Sequence, residues 1–463
     1  MWLGDEDRGL AWFVESQRNW SNAPDSVVQR IVKVGNAIEL QIHIINFPIG
    51  ISAPLRFSFG LQATPVKPRP ANARGWRLGS LGQGELANKP GMGNIQIIWP
   101  NENLAYYGYP QPENPSRFKK LVADLHARGV RVVPYINLNF LSTGAPEWNY
   151  YNAEFHDPAR SFNSGDVGQM GHSLVGACPR NASWRDLIAY KIARFVEEYK
   201  VDGIYVDCWN LYPCYVESHG CGWRDAEGEL RPNFPIRAYR EVMRRAREVL
   251  SERAPNVHII AHMSTNMCMP YLSFADSMLD GEQYQVPTLS GPDYLAAAPL
   301  DKWRTENTGI QWGVFPFFLP EFRDEQLNDP IAAERLMGLL LAHDASPWPI
   351  WCNPEPMNAA WKAMDKFGAT GAKFSPYWKP NGISSDNKEI IVSAYNRPGS
   401  AMLVVVNTSK QDTTAKLRID AAKLGLQSQF SASGGIDGKP LGVTGQTVQV
   451  TVPARNHRLI VLR

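Results

Sequence analysis

Val201-Asp202-Gly203-Ile204-Tyr205-Val206-Asp207-Cys208-Trp209-Asn210 reads as a short buried strand that ends on a carboxylate beside an aromatic ring. Asp202-Gly203 gives a tight entry, Ile204, Tyr205 and Val206 form the apolar run, and Asp207 closes it. In a barrel of alternating parallel strands and helices, catalytic groups stand where the strands end, so an acid at that point is a site position first. The plainer reading of Asp207 is a loop cap or an arginine partner.

The rhythm on either side of this strand supports a barrel. Asn94 to Trp99 reads as a strand, Pro115 to Arg128 as an amphipathic helix closed by Gly129, and Val130 to Ile136 as the next strand. Helices follow at Trp184 to Lys200 and Ile236 to Glu252, with a strand at Val257 to His262. Ser277 to Glu282, Ile310 to Phe315 and Pro347 to Trp351 supply further strands, and helices are read at Ile331 to Leu341 and Pro356 to Phe367. That makes seven strands where a closed barrel needs eight, and the gap between Ala145 and Cys178 is the place left for the last.

Both ends of the chain look different. Gln29 to Val34, Glu39 to Ile45 and Leu55 to Leu61 carry the two-residue period of half-buried strands before a Pro-rich linker at Thr64 to Pro70. After Gly371 helices give way to five short strands separated by turns such as Arg397-Pro398-Gly399. The fold class is therefore α/β: a (β/α)8 TIM-like barrel over residues 71–370, a partial N-terminal β-sandwich over 1–70, and a C-terminal antiparallel β-domain, read as a sandwich, over 371–463. A chain of 463 residues accommodates that many units.

Composition excludes several classes of function. The net charge is +2, with 47 Lys and Arg against 45 acids and no basic run to follow a phosphate backbone, so no nucleic-acid partner is expected. No stretch approaches the roughly 18 to 20 uninterrupted apolar residues of a membrane span, so no membrane partner is expected either. Met1 to Asp7 turns acidic at once, which predicts a cytoplasmic protein, or a secreted or periplasmic one whose leader has been removed. No phosphate-cradling glycine loop, H-E-x-x-H helix or G-x-S-x-G elbow is present, and no cofactor is expected. The 15 Trp and 17 Tyr beside 35 Pro and 37 Gly suit shaped loops bearing flat rings, which is the chemistry of sugar binding.

A second acidic group lies at Asp280-Gly281-Glu282. If the strand continues through it, the two acids share a face with alpha carbons about 7 Å apart. Like charges that close raise one another's proton affinity, so one carboxyl can remain protonated beside an ionised neighbour. A polar turn at Asp280-Gly281 is the alternative. Asp207, Asp280 and Glu282 thus compete for the two roles of glycoside cleavage, proton donation to the leaving oxygen and attack on the anomeric carbon. The reading gives acid/base duty to Glu282, nucleophilic or orienting duty to Asp280, and substrate binding to Asp207. Trp99, Tyr135, Asn137, Trp209, His262, Tyr284 and Trp348 are the substrate-binding candidates, with Asn139 and His343-Asp344 behind them. A binding barrel that cleaves nothing is the competing class.

Cys208, Cys214 and Cys221 crowd around His219 in one loop, which is compatible with a metal site, a Cys214 to Cys221 disulfide or packed thiols. The spacing lacks the close pairs of common zinc modules, so no metal is assigned. Cys178, Cys268 and Cys352 stand alone and read as structural.

Three segments carry a family resemblance: Trp2 to Phe13, Phe59 to Pro68, and Asp202-Gly203-Ile204-Tyr205-Val206-Asp207. Together they resemble glycoside hydrolase family 123 and its uncharacterised relatives. The resemblance implies a retaining, exo-acting enzyme in which the substrate's own acetamido oxygen attacks the anomeric carbon while consecutive Asp and Glu residues orient it and protonate the leaving group. Here Gly281 separates the pair. The strand ending in Asp207 is also similar to alpha-galactosidase and alpha-glucosidase barrels, and that likeness implies Asp207 as nucleophile.

Overall fold

The computed structural model describes residues 1–81, 93–263, 267–284 and 293–463. Its centre is one sheet of eight parallel strands in chain order: β1 (Leu78–Leu81), β2 (Ile95–Ile98), β3 (Arg131–Asn137), β4 (Gly203–Asp207), β5 (His258–His262), β6 (Ser277–Asp280), β7 (Phe315–Phe318) and β8 (Ser346–Pro347). The two-residue period sorts their side chains. Leu78, Ile95, Val133, Tyr205, Ile260, Leu279, Phe315 and Trp348 meet in a single buried cluster drawn from all eight strands or their ends, which is the barrel interior. Ile98, Val132, Ile136, Ile204, Val206, Ile259, Ala261 and Met278 point the other way, into the layer packed by helices.

The helices follow from their apolar stripes and caps. In Ile236–Ser251 the buried residues Ile236, Tyr239, Val242, Met243, Ala246 and Leu250 recur at helical spacing. Pro115–His126 is capped by Asn114, whose side chain accepts from the Arg117 N–H at 3.0 Å, with proline at its first position. Glu355–Phe367 stops at Gly368 in the left-handed conformation.

Asp202-Gly203 opens β4 as the sequence suggests, and for a stronger reason than turning. A Cβ at Gly203 would stand 1.8 Å from the His258 carbonyl oxygen, so only glycine lets β4 and β5 close here. Gly203→Ala is expected to cost about 1–3 kcal/mol by overpacking, read from the denaturation midpoint.

The eighth strand is not where the sequence placed it. Residues between Ala145 and Cys178 contribute to a separate antiparallel sheet of Phe140–Ser142, Leu174–Ala177 and His156–Phe162. The missing strand is β1, only four residues long and hidden just after the Pro-rich linker. The strand expected from Ile310 also starts later. Gly309 and Gly313, both at positive φ, wind Ile310–Trp312 into a tight turn, and the extended run begins at Phe315.

At the amino end, Trp2–Gly4, Gly9–Val14 and Phe59–Thr64 form a three-stranded antiparallel sheet, beside a hairpin of Gln29–Val34 and Ala37–Ile42. The sheet is tied to the barrel by Gln62 Nε2, which donates to the Met269 carbonyl at 3.1 Å, and by Trp2 packed edge-on against Trp312. The carboxyl-terminal domain has six-stranded and four-stranded antiparallel sheets around its own apolar core. Tyr395 donates to the Leu341 carbonyl at 2.9 Å and Ser393 to that of Ala342 at 2.8 Å, fixing this domain to the helix Pro330–Ala342. Among the described residues no helix is long and apolar enough to cross a membrane.

Candidate active site

Adjacent strands bring three charged side chains to the carboxyl end of the barrel. Tyr205 pairs in register with Ile260, so two residues further along the same face Asp207 stands beside His262. The His262 Nδ1 lies 3.0 Å from Asp207 Oδ1 and 2.7 Å from the Tyr205 hydroxyl. Its Nε2 lies 3.3 Å from Glu282 Oε2. One imidazole thus bridges two carboxylates.

The charges follow from this arrangement. Burial opposes an imidazolium, but Asp207 and then Glu282 outweigh it and push the His262 pKa up to about 10. At neutral pH both ring N–H groups donate, Nδ1–H toward Asp207 and Tyr205, and Nε2–H toward Glu282. Burial would also raise the Asp207 carboxyl. The His262 charge and hydrogen bond, with the Cys208 backbone N–H donating at 2.6 Å, hold it below its ordinary value instead. Glu282 keeps 54% of its side chain exposed against 18% for Asp207, so Glu282 is the carboxylate that reaches bulk solvent.

Beneath the acids lies an aromatic floor. Tyr135 sits among Trp99, Tyr107 and Tyr205 with ring centroids 4.8, 5.2 and 5.5 Å away, all edge-on, and Trp348 meets Tyr205 at 5.7 Å. Asn137 is in register with Asp207 and buried. Trp99, Tyr135, Asn137 and Trp348 therefore stand under or beside the acidic group, as their strand-end positions suggest.

Other candidates lie elsewhere. The strand geometry expected to put Asp280 and Glu282 on one face does not form: β6 stops at Asp280, Gly281 takes a φ of 124°, and Glu282–Tyr284 is a 3-10 turn. Asp280 pairs in register with Phe318, away from Leu279 and the barrel interior. It lines a different cleft of about 690 Å³ with Trp2, Met263, Gln283, Glu306 and Trp312, where burial pushes its carboxyl up to about 6. Trp209 is fully buried between Tyr239 and Tyr271 on the helix side of the sheet, and cannot stack on a ligand. Tyr284 packs in the outer layer with Trp303 and Phe318 and donates to Glu306 at 3.1 Å. Asn139 donates to the Tyr239 hydroxyl at 3.1 Å, also outside the barrel. His343 and Asp344 precede β8 and so sit at the opposite end of the barrel from Asp207; burial lowers the His343 pKa to about 4 and leaves the ring neutral beside Tyr377 and Trp378.

One acid escaped the sequence reading. Glu321 is 1% exposed, just beyond β7, and forms an ion pair with Arg323. Burial, then opposed by Arg323 and reinforced by Glu282, pushes its pKa up to about 7. Its signal was the one that marks Asp207, an acid just past a buried strand; placing that strand at Ile310 to Phe315 hid it. The cysteines also regroup: Cys208 lies 3.7 Å from the Tyr135 hydroxyl, whereas Cys178 joins Cys214 and Cys221.

Residues 355–434 match the family described as glycoside hydrolase 123, C-terminal domain. Residues 98–304, which contain Asp207, His262, Asp280 and Glu282, match a domain of unknown function, DUF6259. No curated protein sequence matches the chain. Among solved structures, an alpha-amylase from Lactobacillus plantarum is similar at a TM-score of 0.56 and 11% identity, over 85% of this chain and 100% of that one. An Anoxybacillus alpha-amylase gives 0.55 at 10% identity over 85% and 98%. A cyclomaltodextrinase gives 0.54 at 12% identity over 93% and 86%. At these identities the likeness is one of fold, a barrel followed by a β-domain.

Proposed function

We propose that the chain, whose residues 355–434 match the glycoside hydrolase 123 C-terminal domain, cleaves O-glycosidic bonds of oligo- or polysaccharides with Asp207 as nucleophile and Glu282 as acid/base. The observation that carries this is the Asp207, His262, Glu282 bridge at the carboxyl ends of β4 to β6. A carboxylate held ionised suits attack on the anomeric carbon. Glu282, reaching solvent on the other side of His262, is placed to relay the His262 Nε2 proton to the leaving oxygen and later to take a proton from water. Double displacement through Asp207 retains anomeric configuration, whereas single displacement by water across the wider gap left by a bridging imidazole inverts it. Asp280 has no part in either, and the role given to Asp207 is that of the alpha-galactosidase-like reading.

A panel of aryl glycosides and plant, algal and host glycans tests the activity, with proton NMR of the first-formed anomer testing retention. Cleavage with retention is expected; sugar binding with no cleavage anywhere in the panel would return the barrel to a binding role. Glu282→Gln should lose most turnover on natural glycans and less on aryl glycosides with good leaving groups, which need little protonation.

One observation favours a second source for that proton. Glu321, with its pKa near 7, is already protonated over part of the neutral range. If Glu321 supplies it, kcat/KM falls above about pH 7 and Glu321→Gln abolishes that limb; an unchanged limb returns the role to Glu282.

His262→Gln tests the bridge. Removing the cation raises the Asp207 pKa, so the acidic limb of kcat/KM is expected to move upward by about one to three pH units. A limb that stays in place would mean that His262 does not govern the charge on Asp207.

A further inference from the structure

Cys178, Cys214 and Cys221 come from two distant stretches of chain, yet their sulfur atoms all lie within 4.8 Å of one another. All three residues are buried, as is His219 beside them. The Cys178 and Cys221 sulfurs are 3.8 Å apart, and the Cys214 sulfur is 3.5 Å from His219 Nδ1. A zinc ion with Zn–S bonds of about 2.3 Å and a Zn–N bond of about 2.0 Å places tetrahedral ligand pairs at about 3.8 Å for S···S and about 3.5 Å for S···N. The Cys178–Cys221 and Cys214–His219 separations match two edges of such a tetrahedron, and the three sulfurs form a compact group with His219 against Cys214.

The backbone holds each vertex independently. Cys178 follows the strand Leu174–Ala177 and its N–H donates to the Phe155 carbonyl at 2.8 Å. Cys214 pairs with Asn233 across the neck of the loop, its N–H donating at 2.9 Å. His219 ends a 3-10 turn, after which Gly220 at a φ of 67° reverses the chain to present Cys221. The N–H groups of Cys221 and Gly222 both return to the Val216 carbonyl. A Cβ at Gly222 would lie 1.9 Å from the Tyr215 carbonyl oxygen, so the fold of this turn requires glycine there.

Other readings of the cluster fit less well. Sulfurs 3.8 Å apart are not bonded, since a disulfide needs about 2.0 Å, and pairing any two cysteines would leave the third and His219 without a role. Packed thiols need no imidazole nitrogen among them. The cluster also lies where a clamp is useful. The long connection from Asp207 to the helix at Ile236 contains little regular structure, and its only partly buried apolar contact to the cysteines is Val216.

We propose that Cys178, Cys214 and Cys221 are three thiolate ligands of a structural zinc ion, with His219 turning in from its place beside Cys214 as the fourth, pinning the loop that follows Asp207 to the end of the strand Leu174–Ala177. The site supplies no open coordination position and stands apart from the acids at the barrel mouth, so it holds whether or not the barrel cleaves glycosides.

Elemental analysis of the full chain, purified under reducing conditions without chelator, should find about one zinc per protein. Cobalt replacement should give a thiolate-to-cobalt charge-transfer band with the visible absorption of a tetrahedral site. Cys178→Ser, Cys214→Ser and Cys221→Ser should each lose the metal, whereas Cys352→Ser, a buried thiol beside Met357, should keep it. Should the three variants fail to fold, the wild-type stoichiometry and cobalt spectrum decide alone. The proposal is overturned by a reduced protein that arrives metal-free and takes up no zinc on titration. It is equally overturned by cobalt bound without thiolate absorption, or by a denatured-state thiol count two below the six cysteines of the sequence.

Discussion

Asp207→Asn is expected to lower kcat/KM on the order of 10⁴-fold on whichever glycoside the chain turns over, while the affinity for sugar changes little. The size follows from what the substitution removes. Asparagine keeps the shape of the side chain and can still meet His262 and Tyr205, but it has no anionic oxygen to form a bond to the anomeric carbon. The buried rings of Trp99, Tyr135 and Trp348 beneath the acids are untouched, so the shape of the pocket survives. An activated fluoroglycoside that traps the covalent intermediate should label the peptide containing Asp207 in the parent protein and nothing in the variant. Retention of more than about a tenth of the activity by Asp207→Asn would remove Asp207 as nucleophile and reopen the case for Asp280.

The same substitution has a charge consequence that separates it from simple misfolding. With Asp207 neutral, His262 loses its largest favourable charge partner and its pKa falls from near 10 toward the ordinary histidine value. A group whose pKa is raised on folding stabilises the fold below its unfolded pKa and ceases to do so as pH rises through the folded value. The parent protein should therefore lose this increment between roughly pH 6.5 and 10, and Asp207→Asn should flatten the loss.

What the sequence made legible was whatever depended on periodicity. The run Ile204-Tyr205-Val206-Asp207 reads as a buried strand ending on its acid, and in the structure it alternates between helix layer and barrel interior, which sets Asp207 and Tyr205 on one inward face beside His262 of the neighbouring strand. The same rule failed at Asp280-Gly281-Glu282 because it presumes continuing extended backbone, and a glycine at positive φ ended the strand between the two acids. Trp209 misled for a related reason: one residue's shift beyond the strand end, with Cys208 at a φ of 53°, turned its ring toward the helices. Glu321 was missed because its strand was placed too early, at Ile310 to Phe315, and Cys178 was invisible in another way. It acquires meaning only from Cys214 and Cys221, distant in the chain. No local pattern encodes such meetings.

The largest expected loss of stability lies at the other end of the barrel. Asp344 is 2% exposed and accepts from two arginines: Arg74 Nε and Nη2 reach its two oxygens at 2.6 and 2.8 Å, and Arg69 Nη2 reaches Oδ2 at 2.6 Å. Arg69 also donates to the Thr308 carbonyl at 2.9 Å, and Arg74 to that of Ala372. One buried carboxylate thereby joins the Pro-rich linker, the start of β1, the approach to β8 and the entry to the carboxyl-terminal domain. Asp344→Ala leaves two guanidinium groups without their anion in a site that gives them little water, and is expected to cost about 3–5 kcal/mol in denaturant unfolding. Burial would raise the Asp344 carboxyl, but the two arginines hold it below its usual value. A carboxyl depressed by folding contributes fully above its unfolded pKa of about 3.9 and loses that contribution as pH falls through the folded value. The gap between parent and variant should therefore be constant from neutral pH down to about 4 and narrow only in stronger acid. A change of less than about 1 kcal/mol at pH 7 would mean that water reaches these guanidiniums, and that the join rests on the apolar contacts of the helix Pro330–Ala342 instead.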